Sequence, residues 1–305
     1  MVSVQAEGAG KRALITGLSG FTGRYVAEEL AAAGYTVFGT LAHDDGAAAT
    51  AQHRVLDLCD RAAVAAMVQE VQPDVVVHLA AIAFVAHQDA EQMYRVNLLG
   101  TRHLLEALAG LDRRPQAVLL ASSANIYGNA SAAAIDEDMA PAPANDYAVS
   151  KLAMEYMARL WADKLPLIIA RPFNYTGVGQ HENFLLPKIV NHFRRAAPFI
   201  ELGNLAIARD FSDVRMVARC YRRLLASGHA GQAYNICSGL AHTLDQVLAM
   251  MGAIAGYAIE VRVNPAFVRA SDVLRLVGSN ARLSAAIGPL EPIALEQTLR
   301  WMYLA

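Results

Sequence analysis

Two side chains four residues apart carry the clearest chemistry: Tyr147 and Lys151, in Asn145-Asp146-Tyr147-Ala148-Val149-Ser150-Lys151. On a helix, positions four apart share one face. An ammonium beside a phenol favours the phenolate. The spacing therefore predicts a Tyr pKa drawn below its ordinary value of about 10, and a side chain able to trade protons. The same spacing also arises on helices that do no chemistry. Upstream, Ser122-Ser123-Ala124-Asn125 comes after an apolar run. A hydroxyl there can hydrogen-bond and polarise a carbonyl oxygen, although hydroxyls in such places also serve simply as turn caps.

A third constellation lies near the start. Thr16-Gly17-Leu18-Ser19-Gly20-Phe21-Thr22-Gly23 spaces its glycines as G-x-x-G-x-x-G. Glycines let the backbone turn tightly and approach a pyrophosphate with no Cβ in the way, while the next helix aims N–H groups at the anion. Gly17, Ser19, Gly20, Phe21, Thr22 and Gly23 are the candidate contacts. Farther on, the Asp57 carboxylate beside Leu58 can accept from an adenine amino group, or can cap the helix that starts near Ala62. Leu79, Ala80 and Ala81 are small or apolar enough at a strand tip to let a dinucleotide cross. Past the second strand the sequence reads Gly39-Thr40-Leu41-Ala42-His43, with no carboxylate to hold a ribose 2′-hydroxyl. Arg24 and His43 can face a 2′-phosphate or be ordinary surface. NADP(H) is therefore favoured, with NAD(H) the alternative.

The elements that must position these groups emerge from periodicity. Strands are predicted at 12–16, 36–41, 74–79, 117–122 and 167–170, and helices at 25–33, 62–71, 91–108 and 146–161. Such alternation implies an α/β fold with a doubly wound, right-handed parallel sheet covered by helices on both faces. After Arg171 the rhythm breaks into shorter pieces punctuated by Pro and Gly. A dinucleotide-binding domain is expected over 11–172, with returns near 207–238, and a mainly substrate-binding region over 173–305. Between Lys188 and Arg223 stand eight Lys or Arg residues, most of them expected on solvated helix faces.

Composition narrows the class. The 305 residues are 55% hydrophobic and 18% charged, enough for a large core and against disorder, and the net charge of −2 argues against nucleic acid or anionic membrane as partners. The three cysteines are too far apart for a metal or disulfide framework. Met1–Lys11 lacks the charged-then-apolar pattern of an export signal, so a cytoplasmic location is expected.

In the order glycine turn, Ser123, Tyr147-x-x-x-Lys151, the chain resembles the extended short-chain dehydrogenases/reductases. These are nucleotide-sugar epimerases, dehydratases and reductases with a Rossmann core, and the match runs from Gly17 to about Trp301. The resemblance implies a catalytic triad of Ser123, Tyr147 and Lys151, with Tyr147 as acid/base and Lys151 also holding the nicotinamide ribose. It also implies a supporting amide at Asn97. Arg171-Pro172-Phe173-Asn174-Tyr175-Thr176-Gly177-Val178-Gly179-Gln180 is similar to the R-P-F-N-H-T-G-P-G-Q segment of GDP-mannose dehydratases and related GDP-sugar reductases. By that likeness Asn174, Arg209 and Arg269 face the diphosphate, as guanidinium forks suit, and Asn125 lies by the sugar.

Departures from the pattern separate the sister activities. A 4,6-dehydratase needs an acid/base carboxylate just after the catalytic hydroxyl, and here Ala124 and Asn125 stand there. The expectation is thus an NAD(P)H-dependent reductase of a GDP-4-keto-6-deoxyhexose at C4, giving GDP-D-rhamnose or GDP-6-deoxytalose. The alternatives are a nucleotide-sugar 4-epimerase or a GDP-mannose 4,6-dehydratase with tightly held cofactor, or a catalytically silent nucleotide-binding member. A homodimer through the 91–108 and 146–161 helices is also implied, with Leu98, Leu105, Met154 and Met157 as candidate interface or monomer core.

Overall fold

Short apolar runs become buried parallel strands, and the charged or small residues between them become helices and turns. In the computed structural model, residues 6–42, 51–83, 89–130, 134–205, 207–267 and 275–305 are described. The first half runs β1 (Arg12–Thr16), α1 (Phe21–Ala32), β2 (Thr36–Leu41), β3 (Ala51–Val55), α2 (Arg61–Val71) and β4 (Val75–His78). Then come α3 (Ala90–Tyr94), a π turn (Arg95–Gly100), α4 (Thr101–Ala109), β5 (Ala117–Ala121), a 3₁₀ turn (Ala124–Tyr127), α5 (Asp146–Arg159) and β6 (Leu167–Pro172). The second half holds β7 (Asn174–Thr176), α6 (Leu185–Arg194), β8 (Phe199–Leu202), β9 (Ala208–Asp213), α7 (Val214–Ser227), β10 (Ala233–Ile236), β11 (Ala241–Thr243), α8 (Leu244–Ala255), β12 (Glu260–Val263), β13 (Arg275–Leu276), α9 (Ala281–Ile287) and α10 (Leu295–Leu304).

Seven strands form one parallel sheet in the order β10-β6-β5-β4-β1-β2-β3. The order reverses between β1 and β4, and the crevice at such a switch point is where open α/β sheets take ligands. Pleating sends alternate residues to opposite faces. Ile15, Val77 and Leu119 pack under α1 and α7, while Leu14, Val76, Val118 and Leu120 pack under α2, α4 and α5. Burial on both faces explains why β4 reads Val-Val-Val-His with no polar alternation. The expected doubly wound fold is therefore the observed one. β3 is unmarked in the apolar pattern, because Ala-Gln-His-Arg-Val has no apolar run; it is an edge strand held by its pairing with β2.

The second region has its own core. Leu186, Ile189 and Phe193 of α6 pack with Val247 and Met251 of α8 and Leu299 and Met302 of α10. β9 is the central strand of a small sheet, pairing with β7, β11 and β13. β10 instead returns to the large sheet beside β6.

A buried polar cluster ties β6, α5 and the returning strand β10 together. Arg171 forks onto Glu155 at 3.0 and 2.7 Å, and also donates to the Tyr127 hydroxyl (2.9 Å) and the Glu137 carbonyl (3.1 Å). Tyr127 donates onward to Asn235 Oδ1 at 2.8 Å. Every group in the cluster has a partner, which offsets the cost of burying charge.

Candidate active site

α5 starts where the Asn145 side chain accepts from the Ala148 amide (2.9 Å), and Asp146 and Arg159 suit the two ends of its dipole. Tyr147 and Lys151 therefore lie on the face turned to the sheet, 8% and 5% exposed. Ser123, 6% exposed, ends the loop after β5. Its hydroxyl accepts from the Asn125 amide (3.1 Å) and is hydrogen-bonded with Tyr147. Lys151 Nζ donates to the Ala121 carbonyl at 2.7 Å.

The electrostatics differ from the expectation. Tyr147 is not drawn down by Lys151. Burial pushes its pKa up to about 12, the Ser123 hydrogen bond acts downward, and Tyr175 acts upward. Lys151 is itself pushed down to about 8 by burial, against an upward pull from Glu155. The cause is shared: a dry site disfavours the charged form of both groups.

A supporting frame lies behind the pair. Asn97 Nδ2 donates to Ser150 Oγ (2.9 Å) and the Ile82 carbonyl (3.1 Å), and its Oδ1 accepts from the Ile82 amide (2.8 Å). Ser150 donates to the Tyr147 carbonyl at 2.8 Å. The predicted helix over 91–108 is observed as α3, π turn and α4, and the π turn carries Asn97. Such bulges recur at functional sites.

His78, unassigned by motif, holds the strand tips together. Thr101 gives its one proton to the Asn97 carbonyl (2.7 Å), so it accepts from His78 Nε2 (2.8 Å). His78 Nδ1 then accepts from Thr16 Oγ1 (2.6 Å), which accepts from the Ala80 amide (3.2 Å). One neutral tautomer satisfies the whole chain. Burial and the neighbouring Lys151 push this imidazole down to about 3.

The glycine turn fits a dinucleotide. Gly17 has φ +73°, and a Cβ there would lie 2.9 Å from the Ala80 backbone. A Cβ on Gly23 would lie 2.3 Å from the Gly17 carbonyl, so only glycine lets α1 sit so close to the turn. Gly20, the α1 cap, offers no side-chain acceptor, which leaves the first N–H groups to an anion. Ser19, Phe21 and Thr22 are half-buried around this end, as are Leu79, Ala80 and Ala81 at the tip of β4. Asp57 is exposed, and its Oδ1 accepts from the Cys59 amide at 2.8 Å. The α2 cap is instead Asp60, which accepts from Ala62 and Ala63 at 3.0 Å. Leu58 turns its side chain into the core, leaving only main chain for a ligand. Arg24 reaches the Gly179 carbonyl at 3.4 Å. His43 and Arg269 lie outside the described residues.

Beyond β6 a cleft of about 380 Å³ is lined by Asn174, Tyr175, Gln180, Lys188, Arg209 and Phe267, among others. Asn174 Nδ2 is buried there with no hydrogen-bond partner among the described residues. Arg209 Nη1 donates to the Ala208 carbonyl at 3.1 Å. Lys188 donates to the Glu201 carbonyl (2.7 Å) and lies 4.5 Å from the centre of the Phe267 ring. Sequence reading missed Lys188 and Phe267, which only the fold brings together. Other cations of that stretch pair elsewhere, Arg215 with the buried Asp213 and Arg195 with Glu182 on the surface. Asn125 is half-buried beside Ser123.

Known proteins resemble this chain along nearly its whole length. Residues 14–302 match the family model for GDP-mannose 4,6 dehydratase. The chain is 35% identical to GDP-6-deoxy-D-mannose reductase of Pseudomonas aeruginosa, over 95% of each chain. It is 32% identical to GDP-6-deoxy-D-talose 4-dehydrogenase of Aggregatibacter actinomycetemcomitans, over 90% of each. Among solved structures, a candidate epimerase from Burkholderia cenocepacia J2315 superposes with TM-score 0.92 at 55% identity, covering 97% of both chains. The RMD protein of Pseudomonas aeruginosa complexed with NADPH superposes with TM-score 0.84 at 32% identity, covering 96% of this chain and 98% of that one.

Proposed function

Because the chain belongs to the GDP-mannose 4,6-dehydratase family of extended short-chain dehydrogenases/reductases, we propose that it is an oxidoreductase that reduces the C4 ketone of a GDP-4-keto-6-deoxyhexose. The product is GDP-D-rhamnose or GDP-6-deoxytalose. The observation that carries this reading lies immediately after Ser123. Ala124 is fully buried and packed with Ile126 and Tyr127, and Asn125 comes next, so no carboxylate stands where a dehydratase needs its proton shuttle. Two buried carboxylates of this region, Glu137 and Glu155, are engaged with Asn235 and Arg171.

A bound nicotinamide dinucleotide in its reduced form supplies the hydride to C4. Tyr147 gives its phenolic proton to the C4 oxygen, and Ser123 orients that oxygen by hydrogen bonding. A phenol held near 12 is fully protonated at neutral pH, the form a reduction consumes. Lys151 keeps an ammonium close to the phenolate that forms and takes the nicotinamide ribose. Gly17, Ser19, Gly20, Phe21, Thr22 and Gly23 hold the pyrophosphate. Asp57 and the Leu58 main chain take the adenine, and 79–81 floor the site. Asn174 and Arg209, with Arg269, hold the diphosphate of the sugar nucleotide, and Asn125 lies by the hexose. NADPH is the preferred cofactor, supported by the lack of a carboxylate through Leu41 and Ala42 and by the likeness to a protein that binds it.

The test is incubation with NADPH and the 4-keto sugar made from GDP-mannose by a separate dehydratase. Loss of nicotinamide absorbance and an NMR-identified 6-deoxyhexose support the reading. Interconversion of C4 epimers with no net change in absorbance supports the second reading, a 4-epimerase, which the likeness to the Burkholderia structure favours.

The assembly proposed is a homodimer. Leu105 and Met154 belong to the monomer core, but Leu99 in the π turn, Val149 and Tyr156 on α5 and Leu160 just past it are exposed. Light scattering at a dimer mass, lost on Leu160→Glu with Tyr156→Glu, checks it. Among the described residues no helix is long and apolar enough to cross a membrane.

A further inference from the structure

One short strand touches both ends of the site. β7 gives Asn174 to the cleft, and the Tyr175 hydroxyl meets Thr22 Oγ1 of the glycine-turn helix at 2.7 Å, across 153 residues of chain. The Phe21 ring lies stacked on Tyr175, 5.9 Å between centres and 12° between planes. One helical turn later the Tyr25 hydroxyl donates to the Val178 carbonyl at 2.7 Å. Tyr175 is also close enough to Tyr147 to raise its pKa.

Phe21 and Thr22 are the first two residues of α1, beside a cap that offers no side-chain acceptor. An anion on those N–H groups fixes the turn in which both side chains sit. Fixing them fixes Tyr175, and with it the strand that presents Asn174. Order established at one end then need not be established again at the other, which is positive coupling without a change of shape.

We propose that the Tyr175–Thr22 contact makes the two ligand sites cooperative: dinucleotide on the glycine turn tightens binding of the guanosine diphosphate portion in the cleft, and the reverse. The proposal rests on the functional reading above, which assigns those two sites. Tyr175 acts here as a positioning residue, through Thr22 and Asn174.

Calorimetric titration of the full chain with GDP, with and without saturating NADPH, tests it. The expected result is GDP affinity higher by about fivefold or more with NADPH, and NADPH affinity higher by the same factor with GDP. Tyr175→Phe and Thr22→Val each bring the factor to about one, taken as the ratio of GDP affinities with and without NADPH measured on the same variant, and the double variant loses nothing further. Thr22→Ser keeps the hydroxyl and restores the factor. A wild-type factor of one, or a factor that survives Tyr175→Phe with its melting temperature unaltered, overturns the coupling alone. Failure of either ligand to bind the wild type overturns the functional reading, and the coupling with it.

Discussion

The proposed acid/base centre around Tyr147 and the proposed phosphate cleft at Asn174 are built on opposite plans. Around Tyr147 the groups assigned to the chemistry have protein partners, Ser123 for the phenol, Ala121 for Lys151, and Ser150 and Ile82 for Asn97, while the neighbouring Ser122 hydroxyl is buried without one among the described residues. At the other end Asn174 Nδ2 is buried with no partner among the described residues. A satisfied, dry cluster is rigid and fixes geometry for chemistry. An unsatisfied donor costs stability in the free protein and is repaid when a ligand oxygen arrives. Reaction and recognition are thus separable, and variants at the two ends should fail in different ways.

The largest effect belongs to the chemical end. Tyr147→Phe should lower kcat by about 10²–10⁴-fold, the usual worth of a positioned acid, while calorimetric GDP affinity changes by less than about twofold. Equal loss of both would merge the two plans into one. At the other end, Asn174→Ala should raise the KM for the sugar nucleotide about tenfold, the worth of roughly one hydrogen bond to a charged group at ~1.5 kcal/mol, with kcat retained. Because it removes an unpartnered buried donor, the same variant should match or exceed the wild type in denaturant midpoint. A less stable Asn174→Ala protein would mean that the amide has a structural job.

The same division governs what could be read from the chain alone. The glycine turn, Ser123 and the Tyr147/Lys151 pair are local patterns whose spacing expresses their geometry, and the large sheet was legible in the apolar runs that became β1, β4 and β5. What escaped was non-local. β3 is a strand only because β2 pairs with it, the π turn at Asn97 leaves no mark in the apolar period, and Tyr175 meets Thr22 only after the chain returns. The electrostatic expectation failed for a related reason. Spacing puts Tyr147 and Lys151 on one face, but only the fold shows that burial governs both groups and that Lys151 is turned toward Ala121.

That reversal changes the pH profile. With Lys151 near 8 and Tyr147 near 12, the basic limb of kcat/KM belongs to loss of the ammonium. Activity should fall about tenfold per pH unit above 8. Lys151→Arg, whose guanidinium does not titrate in this range, should remove the limb while lowering the plateau. A limb above pH 10 that persists in Lys151→Arg would return it to the phenol and restore the simpler expectation of a Tyr tuned by its neighbour.

The smallest effect concerns the frame behind the strand tips. His78 is held neutral between Thr16 and Thr101, with its pKa pushed to about 3. In the unfolded chain it protonates near 6.5. Below 6.5 the unfolded state therefore binds a proton that the folded state refuses, and stability must drop as pH falls, by about 1.4 kcal/mol per unit, until the folded group titrates. Denaturant midpoints at pH 6.5 and 5.5 should show this slope in the wild type and a shallower one in His78→Gln, itself less stable at pH 7 because one of the two threonine hydroxyls loses its hydrogen bond to residue 78. GDP affinity at pH 7 should change little in that variant, since His78 braces the strand tips on the dinucleotide side and does not line the phosphate cleft. An unchanged slope in His78→Gln would assign the acid sensitivity to other groups and leave the Thr16–His78–Thr101 chain as packing alone.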